Sequence, residues 1–327
     1  MERIIAVRFM LHSVSVYGEV RQDPAIQALC RLLAEDLAGA DEAAQCYARF
    51  YSGLAACPYG PNLADYLFGL VLGCDNYFSR QCAANNYIGV PFSVKEAVQR
   101  ELTALSVAAS LESSQVKAYL REKFPDHGPL FDLLPDWKTR HNKFSVSADW
   151  GDDLAKLGEL YKNKGCGLFA GFYAFRAVRR PSGPELVPLG RLREETPPEG
   201  LAAPFLRQVE RFLEGEAPGA VCTSAGGALT AAAVRAFAGR SLRLVELPGE
   251  EAGLLPDLME LLAGAPMRFL LAVSQAPLAP GQPGSGYVRD ALGGSAAAVP
   301  ENVLLCLTGA GASVPDETLR QHFGLLL

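Results

Sequence analysis

The stretch AVCTSAGGALTAAAVRAF, residues 220–237, indicates the fold of the second half of this chain. Its first four residues, Ala220 to Thr223, form a short run of apolar and β-branched side chains, which predicts a buried strand. The pair Gly226-Gly227 then predicts a sharp turn, and the alanine-rich remainder predicts a helix. A strand, a glycine-rich turn and a helix in this order are typical of a phosphate-binding loop.

Further apolar runs follow in the same half of the chain. A helix over residues 205–213 precedes them, and helical spacing recurs between them. The runs that predict strands are Leu242 to Glu246, Arg268 to Val273 and Asn302 to Leu307. Strands that alternate with helices indicate a parallel sheet covered by helices on both faces. We therefore expect an α/β domain over residues 201–327.

The first half of the chain has a different pattern. Residues 1–164 predict a mostly helical domain, in which Asp23-Pro24 is a good helix start and the run from Ser93 to Glu96 predicts a capping box. Residues 165–200 predict an apolar, strand-like segment and then a connector rich in proline and glycine. The expected organisation is thus 1–164, 165–200 and 201–327.

Composition and charge exclude several classes of protein. The chain of 327 residues has a net charge of −6, and residues 165–327 hold 13 Arg against 16 Asp and Glu, so there is no basic field for nucleic acid. The apolar segment at residues 4–16 is interrupted by Arg8, which disfavours a signal peptide or a membrane anchor. Eight cysteines without a CxxC pair and only four histidines predict reduced thiols and no metal site. We expect a cytoplasmic protein.

A phosphate-binding loop depends on a few charged and polar side chains. A lysine neutralises the phosphates, and a serine or threonine hydroxyl that follows it binds magnesium. In such a domain, acidic residues at the end of the third strand position the metal and the water. Residues 165–327 contain no lysine at all. The sequence therefore predicts the strands and helices of such a domain without the lysine that neutralises the phosphates.

Several landmarks resemble a known family, the predicted AAA+ ATPases catalogued as domain of unknown function 815. These landmarks are Phe212 to Gly215, Leu242 to Pro248, Pro266 to Leu271 and Pro300 to Leu305. The resemblance covers residues 165–325 well and the N-terminal region more loosely. It implies a P-loop NTPase-like (AAA+-like) core, with ATP and magnesium in typical members and no defined substrate. The chain stops at Leu327, where AAA+ proteins continue into a helical lid, so we expect the lid to be absent.

The chain departs from the family pattern wherever the family does chemistry. The degenerate phosphate-loop positions are Ser224, Gly226, Gly227, Thr230 and Ala231. A one-residue gap decides whether the lysine position is Thr230 or Ala231, and the metal-binding hydroxyl then falls on Ala231 or Ala232. The two metal-binding aspartates fall on Ser274 and Gln275, and the sensor positions fall on Thr308 and Ala310. An Asp-Arg-Phe-Gly element of the family stands here as Gln321 to Gly324.

These losses favour a role without catalysis. The leading hypothesis is a pseudo-ATPase: a non-catalytic, AAA+-like protein that acts as a binding or scaffold module, without a cofactor and without catalytic residues. Its expected partner is another protein or a second copy of the chain. The alternative is an AAA+ family ATP-binding protein that retains nucleotide as a structural or regulatory ligand. A third hypothesis is an unrelated enzyme that uses the crevice at the carboxyl ends of the strands, although the sequence marks no acid–base or nucleophile pair there.

Overall fold

The chain divides into two compact units, here called the helical unit (residues 1–162) and the α/β unit (residues 163–327). The computed structural model describes residues 2–58, 60–85, 87–141, 143–192, 195–216, 220–237, 240–293, 299–309 and 320–327. Within these ranges, no helix combines the length and the apolar character that crossing a bilayer requires.

The helical unit is built from helices of two to five turns and a few shorter ones. Their bounds are α1 (Glu2–Ser13), α2 (Gly18–Gln22), α3 (Pro24–Leu32), α4 (Ala40–Ala56), α5 (Leu63–Gly73), α6 (Tyr77–Asn85), α7 (Phe92–Ala109), α8 (Ser113–Lys123), α9 (Gly128–Phe131) and α10 (Leu154–Lys164), the last of which ends in the α/β unit. Buried apolar side chains repeat along the longer helices at helical spacing, as in Ile4, Val7 and Leu11 of α1.

Two helix starts show what local sequence can and cannot predict. The Asp23 side chain accepts hydrogen bonds from the first free backbone N–H groups of α3, so this predicted start is confirmed. The capping box predicted at Ser93 is wrong, because α7 begins at Phe92 and has no side-chain cap. Pro91 precedes it in an extended conformation, and Ser93 therefore lies inside the first turn.

A buried polar cluster fixes the long loop after α9 to helix α5. The Nδ1 atom of His141 lies 2.9 Å from an oxygen of the buried Asp65 carboxylate, and the Trp150 indole donates to Nε2 of the same ring at 3.1 Å. Since the indole can only donate, this geometry assigns the imidazole proton to Nδ1. Both ring nitrogens are engaged, so the cluster orients a loop and offers no general base.

The α/β unit contains one seven-stranded sheet in the order β2-β1-β4-β5-β6-β3-β7. The strands are β1 (Ala174–Arg180), β2 (Gly183–Pro188), β3 (Ala220–Thr223), β4 (Leu242–Pro248), β5 (Arg268–Ser274), β6 (Val303–Thr308) and β7 (Phe323–Leu326). All neighbouring strands are parallel except β1 and β2, which form an antiparallel hairpin. The predicted α/β class with a mainly parallel sheet is thus confirmed, and it is consistent with a P-loop-like fold.

Helices cover the two faces of the sheet. The helices of this unit are α11 (Leu168–Gly171), α12 (Ala202–Leu213), α13 (Gly227–Ala236), α14 (Leu255–Ala263) and α15 (Ser285–Gly293). Helices α12 and α13 pack on one face, and α14 and α15 pack on the other. The chain therefore leaves β3 toward one face and leaves β4 and β5 toward the opposite face.

The segment before residue 201 is more ordered than its composition predicts. The strand-like segment divides into the short helix α11 and strand β1, and the stretch expected to be a connector contains strand β2. Pro184 and Pro188 lie in β2, which is tolerated because β2 is an edge strand with one unpaired side.

Candidate functional site

The turn after β3 keeps the geometry of a strand-to-helix junction. Gly226 has φ 57°, a left-handed value that favours glycine, and α13 begins at the next residue. The Thr223 hydroxyl accepts a hydrogen bond from the Ala225 N–H at 3.1 Å, which holds the turn. The Thr230 hydroxyl, at a predicted lysine position, donates to the Gly227 carbonyl at 3.0 Å and is thereby used within the helix.

The ends of three neighbouring strands meet beside this turn. Thr308, at the end of β6, is in register with Thr223 on one side and with Ser274 of β5 on the other. The Thr308 hydroxyl donates to the Val273 carbonyl at 3.4 Å, and the Gly309 N–H donates to the Thr223 carbonyl at 3.0 Å. The carboxyl ends of these strands thus bring the predicted metal position Ser274 and the predicted sensor position Thr308 beside the strand that leads into the turn.

Gln275, the second predicted aspartate position, has an unusual backbone. Among the described residues other than glycine, it alone has φ in the left-handed region, at 50°. Its carbonyl lies against Gly249, the residue after β4, where a Cβ atom would approach the Gln275 oxygen to 2.3 Å. Two loops therefore touch through their backbones at this edge, and the contact requires glycine on one side.

Gly249→Ala tests this close approach. We expect it to lower the free energy of unfolding of the α/β unit by about 2 kcal/mol, because the new methyl group must displace backbone atoms. The matched control is Gly253→Ala in the same 3-10 helix, where the nearest atoms lie at 3.6 Å and a loss of only about 0.5 kcal/mol is expected. Urea denaturation followed by far-UV circular dichroism measures both, and equal losses would contradict the assignment.

A cavity of about 270 Å³, here called the edge cavity, opens among these strand ends. It is lined by Arg176, Leu189, Arg191, Leu192, Gly227, Thr230, Ala231, Glu246, Ala272, Ser274 and Thr308. Five of the residues predicted from sequence are in this set, namely Gly227, Thr230, Ala231, Ser274 and Thr308. Ser224, Gly226 and Gln275 are not among the lining residues, and Ala310 lies outside the described residues.

The charged residues of the edge cavity were missed by sequence reasoning. Arg176 of β1 is in register with Glu246 of β4, and their side chains approach to 3.5 Å between Nη2 and Oε2. Arg191, in the connection after β2, is the other cation that lines the cavity. The positive charge thus comes from the strand and connection that precede the phosphate-loop-like turn, not from the helix that follows it.

Four of the polar side chains that line the edge cavity form a hydrogen bond or an ion pair within the protein. The hydroxyls of Thr230 and Thr308 are bonded to backbone carbonyls, and neither forms a hydrogen bond to a base. Among the lining residues, Glu246 is the one carboxylate, and Arg176 is its ion-pair partner. Across the described residues, no group of three His, Cys, Asp or Glu side chains could hold a metal ion. Beneath the site, burial raises the pKa of the Cys222 and Cys306 thiols, which disfavours thiolate chemistry.

The residues of the edge cavity do not fit a site that binds and hydrolyses ATP with magnesium. A magnesium site in this chemistry uses a carboxylate at the end of the third strand and a hydroxyl in the phosphate loop. Ser274 stands at the first of these positions, and alanine stands at the second. The volume of 270 Å³ also lies below the range of about 300–1,000 Å³ typical of small-molecule pockets. The backbone N–H groups of the turn remain able to hold an anion.

No curated protein and no solved structure matches the chain. A family model described as "Protein of unknown function (DUF815)" matches residues 205–317. This region begins in α12 and includes β3, β4, β5 and β6 with the helices between them, but not the cationic residues Arg176 and Arg191. From α12 past β6, the chain is therefore similar to the DUF815 family.

Proposed function

We propose that the α/β unit is an AAA+-like domain that has lost ATP hydrolysis and serves as a binding or scaffold module. The observation that carries this proposal is the edge cavity itself. Residues expected to supply the lysine, hydroxyl, carboxylate and sensor groups gather there, and they are threonine, alanine and serine instead. The one carboxylate among the lining residues pairs with Arg176.

The lost groups are large contributors to catalysis in this chemistry. Removing one charge-stabilising donor typically raises a barrier by about 3 kcal/mol, and loss of the metal carboxylates removes a second source of stabilisation. The scaffold does not depend on either, because its stability comes from apolar side chains packed on both faces of the sheet. A folded domain that keeps its surfaces while losing its reaction supports a role in binding a protein partner or a second copy of the chain.

One observation favours the alternative, in which nucleotide is retained as a structural or regulatory ligand. The turn still presents the N-terminus of α13, and nothing lies within 4 Å of a Cβ atom built on Gly227. Backbone N–H groups at a helix N-terminus attract anions even without a lysine. Arg176 and Arg191 would add charge at the same cavity.

Thermal unfolding with and without millimolar MgATP or MgADP separates the two proposals. We expect an unchanged Tm and no ATP turnover from the purified chain. A ligand at 100 times its Kd would add about 2.7 kcal/mol and raise the Tm by about 5 °C or more.

Gly227→Leu and its matched control Gly286→Leu sharpen the result. Both glycines lie exposed in the first turn of a helix, with nothing within 4 Å of the added Cβ. A rise in Tm that disappears in Gly227→Leu but persists in Gly286→Leu would establish the alternative. Steady ATP turnover by the native chain would overturn both proposals.

A further inference from the structure

The helical unit contains a second cavity, of about 530 Å³, which we call the basic cavity. It lies among α1, α2, α3 and the turn after α3, and most of its charged lining is cationic. The side chains that matter are Arg8, His12, Arg21, Cys30, Arg31 and Asp36. In a chain with a net charge of −6, a cavity with three arginines is a local reversal of sign.

One of the three arginines is already neutralised. Arg31 lies 2.7 Å from a Glu42 oxygen and 2.8 Å from an Asp36 oxygen. These two ion pairs use its Nε and Nη1 atoms. Asp36 is the one carboxylate in the lining, and its ion pair is with this arginine.

The other two arginines form no ion pair within the described residues. Arg21 donates from Nη1 to the His12 carbonyl at 3.2 Å and forms no ion pair. The Nε atom of Arg8 is buried and has no hydrogen-bond partner. A buried donor without a partner is unfavourable, and here it belongs to a charged group. Three guanidinium groups thus face two carboxylates, Asp36 and Glu42, and two of the three guanidinium groups form no ion pair.

The guanidinium groups of Arg8 and Arg21 both act on the Cys30 thiol. Burial raises the pKa of the Cys30 thiol to about 11, and the positive charges of Arg8 and Arg21 oppose that shift. The two guanidinium groups therefore lie close to one lining thiol. The raised pKa also means that Cys30 stays protonated at neutral pH, so the cavity offers binding and not a thiolate nucleophile.

We propose that the basic cavity binds the phosphate group of a small phosphomonoester. A phosphomonoester carries a charge of about −1.5 to −2 at pH 7 and three acceptor oxygens, which suit the two guanidinium groups that form no ion pair. The planar fork of arginine donates two parallel hydrogen bonds to phosphate oxygens. A carboxylate has two oxygens to share between the two guanidinium groups, one fewer than a phosphate group offers. The volume lies within the range of about 300–1,000 Å³ for small-molecule pockets, and the side chains of Gln22 and Gln27 can contact the rest of the molecule.

Isothermal titration calorimetry of the full chain tests this site, with inorganic phosphate and glycerol 3-phosphate as probes and sodium chloride at matched ionic strength as the reference. We expect saturable binding of both probes. Arg8→Gln and Arg21→Gln should each raise the Kd about tenfold, the effect of losing a charge-assisted hydrogen bond. Arg100→Gln is the matched control in the same unit, because Arg100 is exposed and pairs only weakly with Glu96 at 3.6 Å. Its Kd should equal that of the native chain.

Several results of the titration would overturn phosphate binding in the basic cavity. Heats no larger than those of chloride, or an equal Kd in all variants, would overturn the site. Weakening by Arg176→Gln in place of Arg21→Gln would move the anion to the edge cavity and also overturn it. Binding of inorganic phosphate without glycerol 3-phosphate would contradict the phosphomonoester class. If Arg8→Gln fails to fold, Arg21→Gln decides, because Arg21 is exposed and its loss removes one surface hydrogen bond. The proposal does not depend on the function proposed for the α/β unit.

Discussion

Arg243→Ala is expected to lower the free energy of unfolding of the α/β unit by about 4 kcal/mol. Arg243 lies in β4 and is fully buried, and it forms no ion pair with any of the described residues. Its guanidinium donates to the Phe169 carbonyl at 2.8 and 2.9 Å, to the Leu242 carbonyl at 2.7 Å, and to the Lys164 carbonyl. It also stacks over the Tyr173 ring at 4.7 Å. Truncation would leave these carbonyls without a donor and open a void in the core.

Two further variants separate the effect of the Arg243 charge on stability from the effect of its side-chain volume. Burial lowers the pKa of Arg243 to about 10, which still leaves it charged at neutral pH. Arg243→Met fills most of the space and removes the buried charge, so we expect a smaller loss of about 2 kcal/mol from the unsatisfied carbonyls. The control is Arg240→Ala, because Arg240 is exposed and its guanidinium stacks over the Phe237 ring at 5.7 Å.

Hydrogen–deuterium exchange of β4 and β5 gives the local readout for these variants. We expect the protection of both strands to fall in Arg243→Ala and to stay near the native level in Arg240→Ala. Equal protection of the β4 and β5 amides in the native and Arg243→Ala proteins would show that the buried guanidinium does not stabilise these strands.

Glu101→Ala should destabilise the helical unit by about 4 kcal/mol. The Glu101 carboxylate, on α7, is 9% exposed and accepts hydrogen bonds from the turn between α1 and α2. The donors are the backbone N–H groups of Ser15, Val16 and Tyr17 at 2.9, 2.9 and 3.0 Å and the Ser15 hydroxyl at 2.5 Å. Alanine would leave several N–H groups in this turn without an acceptor, and each such loss costs about 1–3 kcal/mol when buried.

Tryptophan fluorescence isolates this effect, because both tryptophans, Trp137 and Trp150, lie buried in the helical unit. Urea denaturation followed by this signal should show a midpoint shift for Glu101→Ala. Glu96→Ala on the same helix is the control, since its side chain is 47% exposed and its partner Arg100 lies at 3.6 Å. A shift of the same size in both variants would mean that helix propensity, not the turn, is responsible.

The strands of the α/β unit were predictable because a buried parallel strand is a continuous apolar run. Observed β3 has the predicted bounds, and β5 differs from its prediction by one residue. Strand β2 was missed, because its prolines predict a connector, and only its place at the sheet edge makes them tolerable. The pattern of apolar side chains reflects burial, and the edge strand β2 is less buried than the central strands.

The candidate site was predicted in part for a similar reason. Gly227, Ser274 and Thr308 were found because each follows or ends a strand that the sequence reveals. Arg176 and Glu246 were not found, because their proximity depends on the register between β1 and β4, which no local pattern encodes. The close approach of Gly249 to Gln275 is likewise a property of two loops that meet only in the folded chain.

The position of β3 in the sheet has a consequence for the order in which the molecule can be built. Its two neighbours, β6 and β7, both come later in the chain, with Val221 opposite Cys306 on one side and Leu325 on the other. Strands β1, β4 and β5 can pair with one another as soon as residues 174–274 have been synthesised. Strand β3 is made before β4 and β5, yet it must wait for residues 303–326, and such long-range pairing forms slowly. The strand that leads into the edge cavity is thus made early, yet it gains its hydrogen bonds only after β6 has been made.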